Sequence, residues 1–550
     1  MTTHKLLHNS LRGEASWLTC ELCSTAISLI RLYPSVSTTQ TVFVQMCSSL
    51  GYEERHICSG IADLFGEEFV YILSNSKLSH TEICGLVIAP RCSSNNDYPY
   101  APKWIIPLTK LNSTLKEMLI NRQSEEEQSL NKNLAKANNS EILHLSDIHL
   151  DMYYQMNAYA SCSEPLCCRT GSSHSSKSFH AGYWGSFGNC DTTIRTLESL
   201  ISTVANDYAD QYRYLLFTGD YIAHDVWNTS KQEIITTTRK LNKIFRQNIP
   251  EGKIVIPVIG NHEGFPVNQF CPPQLGIRRF SVQWLYEELL DQWKDWIPAD
   301  MHETFRENGY YSLSDGPTRF IVLNMNYCAR LNFWIAYDHI DLGDMLKWME
   351  SELQNALQWK QIVYIAGHII PDNEECATHW TIAYNDIIEK YSNIIKGQFF
   401  GHTHMDEIRL YYSNFNRSKA IGVAYATPSV TTYGDVNPAF RLYNTNFLGT
   451  IVDHRTFYLN LTESNKEFKL ASPMFTPQAK WQFEYSAREA FNMSSLSPQE
   501  WHRVMSTIKD NKKILDKYYQ FYGRYSGEEV KMKPDAAKLE LVTNRVFVRF

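Results

Sequence analysis

Five short polar segments punctuate the middle of this chain: Asp147-Ile148-His149, Gly219-Asp220, Gly260-Asn261-His262-Glu263, Gly367-His368 and Gly401-His402-Thr403-His404. Each closes a short apolar run rich in β-formers, at 142–145, 214–217, 254–259, 362–366 and 398–400. Any fold that accepts the pattern must end several strands where Asp, Asn and His side chains gather. Side chains along a strand repeat direction every two residues, so Asp147 and His149 are expected on one face, and His402 and His404 likewise. Gly219, Gly260, Gly367 and Gly401 each stand just before a candidate ligand, where the chain must turn sharply and a side chain would crowd the site.

The seven candidate metal ligands are Asp147, His149, Asp220, Asn261, His368, His402 and His404. Asp147, His149, Asp220 and one later histidine would hold one ion; Asp220, Asn261 and two histidines would hold a second. Asp220 is the natural bridge, because a carboxylate has two oxygens to share. Two cations roughly 3.5–4 Å apart can polarise a phosphoryl oxygen, generate a bridging hydroxide near neutral pH and balance charge on a leaving oxygen. A lone D-x-H or Gly-Asn-His is a common chance match, whereas five such segments in order are not. His144, inside the first strand, reads as a packed histidine.

The constellation resembles the calcineurin-like metallophosphoesterase superfamily. The longer stretches 218–227, 323–328 and 398–407 are similar to the acid sphingomyelinase family and its close phosphodiesterase relatives, as are Cys162, Cys167 and Cys168 and the run 181–184. The resemblance implies an α/β (α+β) fold: a two-sheet sandwich flanked by helices, an N-terminal all-α saposin-like domain and a C-terminal helical subdomain. It also implies hydrolysis of sphingomyelin to ceramide and phosphocholine with two zinc ions per chain. The alternative is a metal-dependent phosphodiesterase for nucleotides or other phospholipids.

Thirteen cysteines are many for a reducing cytosol. Six of them, Cys20, Cys23, Cys47, Cys58, Cys84 and Cys92, precede every metal-ligand candidate, and six allow about fifteen pairings. Helical patterns over 18–32 and 41–50, broken at Tyr33-Pro34 and Gly51, lie among them. Their spacing resembles a saposin B-type domain, which implies the nested pairs Cys20–Cys92, Cys23–Cys84 and Cys47–Cys58 and contact with lipid through a helical clamp. Resemblance also implies Cys162–Cys167, Cys168–Cys190 and Cys328–Cys376, leaving Cys271 over.

Domains are expected at 16–95 (saposin B-type), 96–140 (linker), 141–455 (catalytic) and 456–550 (helical, from segments such as 481–491 and 501–522). No cysteine follows Cys376, although sphingomyelinases usually carry further disulfides there, so the ending over 531–550 departs from the family pattern. Net charge is −7, which offers no general attraction to nucleic acid and makes it an unexpected partner. The expected partners are sphingomyelin in membranes or lipoproteins, and a membrane surface met through the saposin-like domain. Cysteines and the triplets starting at Asn112, Asn138, Asn228, Asn416, Asn460 and Asn492 point to a secreted or lysosomal glycoprotein. Residues 1–17 show no apolar signal-peptide core, and no run long enough to span a membrane occurs.

For proton transfer to the departing alkoxide, resemblance supports His262 and His224. Asp225, Glu263 and Asp406 are near enough in sequence to fix imidazole orientation. Tyr327, Phe333, Trp334 and Tyr337 are candidate walls for a choline cation.

Overall fold

The computed structural model describes residues 17–87, 92, 139–171, 180–471, 477–524 and 534–548. Most of the expected linker, residues 1–16, Asn112, Asn138 and parts of the 531–550 ending lie outside the described residues.

Four helices come first: α1 (Trp17–Leu32), α2 (Val36–Ser49), α3 (Arg55–Asn75) and α4 (His80–Val87). Pro34 separates α1 from α2, and Ser35 caps α2 by accepting from the Thr38 amide at 3.3 Å. So small a module has a thin core, and disulfides supplement it. Cys23–Cys84 ties α1 to α4, Cys47–Cys58 ties α2 to α3, and Cys20–Cys92 closes α1 onto the segment after α4. Cys162–Cys167, Cys168–Cys190 and Cys328–Cys376 complete the pairing that resemblance implied, and Cys271 is a buried thiol.

Two six-stranded sheets follow. The first joins β1 (Asn139–Leu145), β2 (Tyr214–Phe217), β3 (Ile254–Pro257), β10 (Ala439–Thr445), β11 (Ile451–Leu459) and β12 (Trp481–Ser486) in the order β12-β11-β10-β1-β2-β3, with β1, β2 and β3 parallel to one another. The second has order β4-β5-β6-β7-β9-β8, from β4 (Tyr311–Asp315), β5 (Thr318–Val322), β6 (Ile362–Ala366), β7 (Ile395–Phe400), β8 (Glu407–Tyr412) and β9 (Ala420–Ala426). Here β5, β6, β7 and β9 run parallel. The sheets meet through aromatic rings, such as Phe399 against Tyr443 at 4.9 Å and Tyr214 against Phe320 at 4.8 Å. Amphipathic helices cover the outside. Among them, α5 (Ile194–Asn206) buries Leu197, Leu200, Ile201 and Val204, and α6 (Lys231–Asn248) stacks Phe245 on Phe217 of β2. Helices α7 (Met345–Gln358) and α8 (Thr378–Lys390) pack on the second sheet.

The five polar segments leave the C-terminal ends of β1, β2, β3, β6 and β7. These strands are parallel within their sheets, so the segments emerge at a common edge, where open α/β sheets place their ligands.

The C-terminal part differs from the sequence expectation. A boundary at 455/456 falls inside β11 (Ile451–Leu459), and the expected helix over 481–491 begins as β12 (Trp481–Ser486), pairing antiparallel with β11. Only Ala487–Phe491 is helical there. Pairing to an open sheet edge outweighs local helical preference. After β10, β11 and β12, helices α9 (Pro498–Ser506) and α11 (Asp535–Val546) pack back on the second sheet, and α10 (Lys512–Tyr522) lies against α11 and stacks Phe521 on Tyr485 of β12.

The helical module docks on the catalytic region. Ser76 Oγ donates to the Ala336 carbonyl at 2.5 Å, Arg330 donates to the Leu86 carbonyl at 2.8 Å, and the Trp334 indole N–H donates to Glu68. Phe333 meets Phe69 at 5.0 Å, and Trp334 and Tyr337 lie against Tyr71. These aromatics therefore form the joint. Trp334 and Tyr327 are buried, and the Tyr327 hydroxyl bonds Tyr286 at 2.7 Å, so they do not wall an open cation site.

Candidate metal centre and catalytic site

Asp147, His149, Asp220, His402 and His404 all adopt positive φ, between 43° and 73°. Their side chains converge through these sharp turns, not through the two-residue alternation of a strand. Left-handed backbone at five non-glycine positions is costly, and it concentrates where a surrounding structure enforces it. The glycines have a specific role: a Cβ on Gly401 would strike Ser146 Oγ and Asp147 Oδ2, and one on Gly260 would strike Asp220 Oδ1.

All seven candidate ligands gather. Asp220 is central: its Oδ2 lies 3.1 Å from His368 Nε2, 3.4 Å from His149 Nε2 and 4.0 Å from His262 Nε2. Asp147 Oδ1 lies 3.7 Å from His404 Nε2 and 4.0 Å from both His149 and His368 Nε2. The Asn261 amide oxygen is 3.0 Å from His368 Nε2, and His402 groups with Asp220 and His368 within 4.8 Å.

Backbone carbonyls orient three of the rings. His149 Nδ1 donates to Ile222 at 2.7 Å, His368 Nδ1 to Thr218 at 2.6 Å and His404 Nδ1 to Tyr433 at 3.3 Å. Each Nε2 is thereby left facing inward. His149 and His404 then oppose each other, Nε2 to Nε2, at 3.1 Å. With both Nδ1 protons committed, the two lone pairs point at one another beside two carboxylates, a donor set that suits a cation between them.

Charges in the cluster agree with that reading. Burial opposes a charge on His368, yet Asp220 and Asp147 outweigh it and raise the ring to about 9, which shows how strongly the two carboxylates favour positive charge at this point. Burial drives His149 well down and His404 to about 3, and it pushes Asp147 up to about 6. Asp220 is also buried, but His368, His262 and His149 hold its carboxylate well below the usual range.

His224 and His262 flank the cluster, with ring centres 3.9 Å and 4.7 Å from that of His149. Asp191 Oδ1 holds His224 Nδ1 at 2.8 Å, and Tyr433 stacks on the other side at 3.9 Å. His224, His149 and His404 each bring a ring nitrogen within 4.8 Å of one another. The His262 amide donates to Asp220 Oδ1 at 2.9 Å, which ties the backbone of one motif to the central carboxylate of another.

The carboxylates expected to orient imidazoles serve elsewhere. Asp225 pairs with Arg169 at 2.5 Å, Asp406 pairs with Arg441 inside the core, and Glu263 accepts from the amides of Tyr221 at 2.7 Å and Gly260 at 2.7 Å, bracing the Asp220 turn. Asp191 carries the orienting role on His224, and nothing in its neighbourhood of the sequence marks it. His144 is packed, bonding Thr218 Oγ1 at 2.9 Å.

A family model described as calcineurin-like phosphoesterase matches residues 140–406. Fold and cluster together therefore define a metal-dependent phosphoesterase suited to divalent cations. The chain is 34% identical over 535 residues to sphingomyelin phosphodiesterase of Homo sapiens, covering 93% of this chain and 79% of that protein. It is 31% identical over 513 residues to sphingomyelin phosphodiesterase 1 of Caenorhabditis elegans, covering 91% and 87%. With acid sphingomyelinase-like phosphodiesterase 3b of Mus musculus it shares 28% identity over 403 residues, covering 69% and 81%. The chain belongs to the sphingomyelin phosphodiesterase family.

Proposed function

We propose that the protein hydrolyses sphingomyelin to ceramide and phosphocholine, using two zinc ions. The observation that carries this reading is the gathering of the ligand candidates around the two buried carboxylates Asp220 and Asp147, in a chain matching sphingomyelin phosphodiesterases over nearly its whole length. Asp147, His149, Asp220 and His404 would hold one ion, and Asp220, Asn261, His368 and His402 the other. When bound, the pair supplies positive charge to the phosphoryl oxygens and activates water for attack.

The protein's own groups do the rest. Water attacks phosphorus, the bond from phosphorus to the ceramide oxygen breaks, and that oxygen takes a proton. His224 and His262 border the cluster and are the donors; general-acid help of this kind contributes roughly 10²–10⁴-fold. Asp191 holds His224 Nδ1 and so keeps Nε2 toward the leaving oxygen.

The helical module would present the lipid. Of the seventeen exposed large apolar side chains among the described residues, nine fall between Leu22 and Tyr52. Leu22 and Leu29 on α1, and Val42, Phe43 and Met46 on α2, follow helical spacing, which makes an apolar face that can meet a membrane or lipoprotein surface. No described helix is long and apolar enough to cross a membrane. Six disulfides among the described residues, with Asn228, Asn416 and Asn492 exposed, support a secreted or lysosomal location.

The test is phosphocholine release from sphingomyelin vesicles by the secreted protein, with chelation, zinc add-back and a nucleotide phosphodiester alongside. Release lost on chelation and restored by zinc, from sphingomyelin only, is expected. Activity confined to the nucleotide would overturn the substrate.

A further inference from the structure

His402 is turned differently from its partners. His149, His368 and His404 each give Nδ1 to a backbone carbonyl and keep Nε2 for the cluster. His402 instead directs Nε2 at a carboxylate, Glu375 Oε2, at 3.4 Å. The two nitrogens of an imidazole lie on different edges, so the nitrogen left for Asp220 and His368 is Nδ1. The His402 amide is also spoken for, donating to both oxygens of Asp147 at 2.9 and 3.0 Å, which fixes the ring's root.

The segment carrying Glu375 is held on several sides. Asp372 Oδ1 accepts the amides of Glu374 at 2.9 Å and Glu375 at 3.0 Å, while its Oδ2 accepts from Arg409 Nε at 2.8 Å. The Glu375 carbonyl accepts from the Arg330 amide at 2.9 Å, and the next residue, Cys376, is bonded to Cys328. Glu375 thus has little freedom to leave His402.

We propose that Glu375 is a positioning residue for the second ion: its carboxylate holds the Nε2–H edge of His402, so that His402 meets the ion through Nδ1 as a correctly turned ligand. Carboxylates placed this way behind a ligating histidine typically contribute about 10–100-fold in metal affinity. The inference rests on the two-ion reading of the site. Sequence motifs could not show it, because Glu375 lies seven residues beyond His368 in a stretch with no metal-site signature.

The test compares wild type, Glu375→Ala and Glu375→Gln by metal content and by chelator competition on the full chain, reading each ion separately with cobalt absorbance. Alanine is expected to weaken one ion by about 10–100-fold and spare the other. Glutamine, whose amide oxygen still accepts from Nε2, is expected to stay within a few-fold of wild type. Wild-type affinity for both ions in Glu375→Ala overturns the inference. So does equal weakening in both variants, or a metal-free melting temperature that falls in parallel with the loss. If wild type itself binds fewer than two ions, the two-ion reading fails first and takes this inference with it.

Discussion

Asp191 sets the orientation of His224, and its effect can be separated from metal binding because its carboxylate bonds His224 and Thr431, neither of them among the seven ligand candidates. Asp191→Asn keeps the size but lets the amide compete for either His224 tautomer. Turnover on sphingomyelin is expected to fall about 10²-fold with both ions retained, within the range of lost acid–base help; steady-state kinetics beside metal analysis would show it. Gly401→Ala should do the opposite, forcing a methyl into Ser146 and Asp147 and expelling the metal. Loss of bound metal with unchanged far-ultraviolet dichroism is the expected result. The residues that gather at the site were readable in the chain because each sits in a compact motif at a strand end. Asp191 and Glu375 were not, because their roles exist only after residues 33 and 27 positions distant in sequence meet them. Asp225, next to His224, drew the expectation by proximity, yet Arg169 claims it.

The central strands follow local patterning: 214–217 and 362–366 are strands to the residue, since buried apolar runs between turn signals leave few alternatives. The tail is less direct. Trp481–Ser486 takes its structure from the open edge of β11, a partner that local propensity does not register. In place of further disulfides, α11 is fastened by charge: Arg545 Nη1 meets Glu407 at 3.1 Å, Glu407 also meets Arg409 at 2.9 Å, and Arg409 reaches Asp372 at 2.8 Å. All four are buried. Removing one member of a buried ionic network leaves its partners uncompensated, at a cost of about 3–5 kcal/mol. Arg545→Met is therefore expected to lower the melting temperature by several degrees, and thermal unfolding of the metal-loaded protein would measure it. Since the chain of contacts ends at Asp372, the same variant should loosen the segment bearing Glu375.

The joint between helical module and catalytic region contains a buried carboxyl. Burial pushes Glu68 up to about 7; the Trp334 indole N–H and Lys231 pull it back, and Glu67 adds to the rise. The folded chain therefore holds this proton more tightly than the unfolded chain, whose ordinary value is 4.5. Below that value both states are neutral and nothing is lost. As pH rises toward 7 the unfolded state ionises first, and stability falls by up to about 3 kcal/mol. Glu68→Gln keeps an acceptor for Trp334 and removes the proton, so melting temperatures at pH 5 and pH 8 should differ less in the variant than in wild type.

That joint also decides how lipid presentation should be tested. Deleting the module would uncover Trp334, Phe333 and Tyr337 and disturb a region continuous, through Cys328, with the segment behind His402. Loss of activity on every substrate would then say nothing about lipid. Leu29, Phe43 and Met46 are 55%, 41% and 57% exposed, while the joint is carried by Glu68, Phe69, Tyr71, Ser76 and Leu86, so replacing all three by serine leaves the docking intact. Each apolar side chain that enters a bilayer contributes about 1.5–3 kcal/mol, or roughly tenfold or more in partitioning. The triple variant is expected to lose at least about tenfold in activity on sphingomyelin vesicles while its kcat/KM on a soluble chromogenic phosphodiester stays at the wild-type value. Vesicle co-sedimentation should fall with the first activity. Equal activity of variant and wild type on vesicles would place the lipid-contacting surface elsewhere on the molecule and leave the phosphoesterase chemistry untouched.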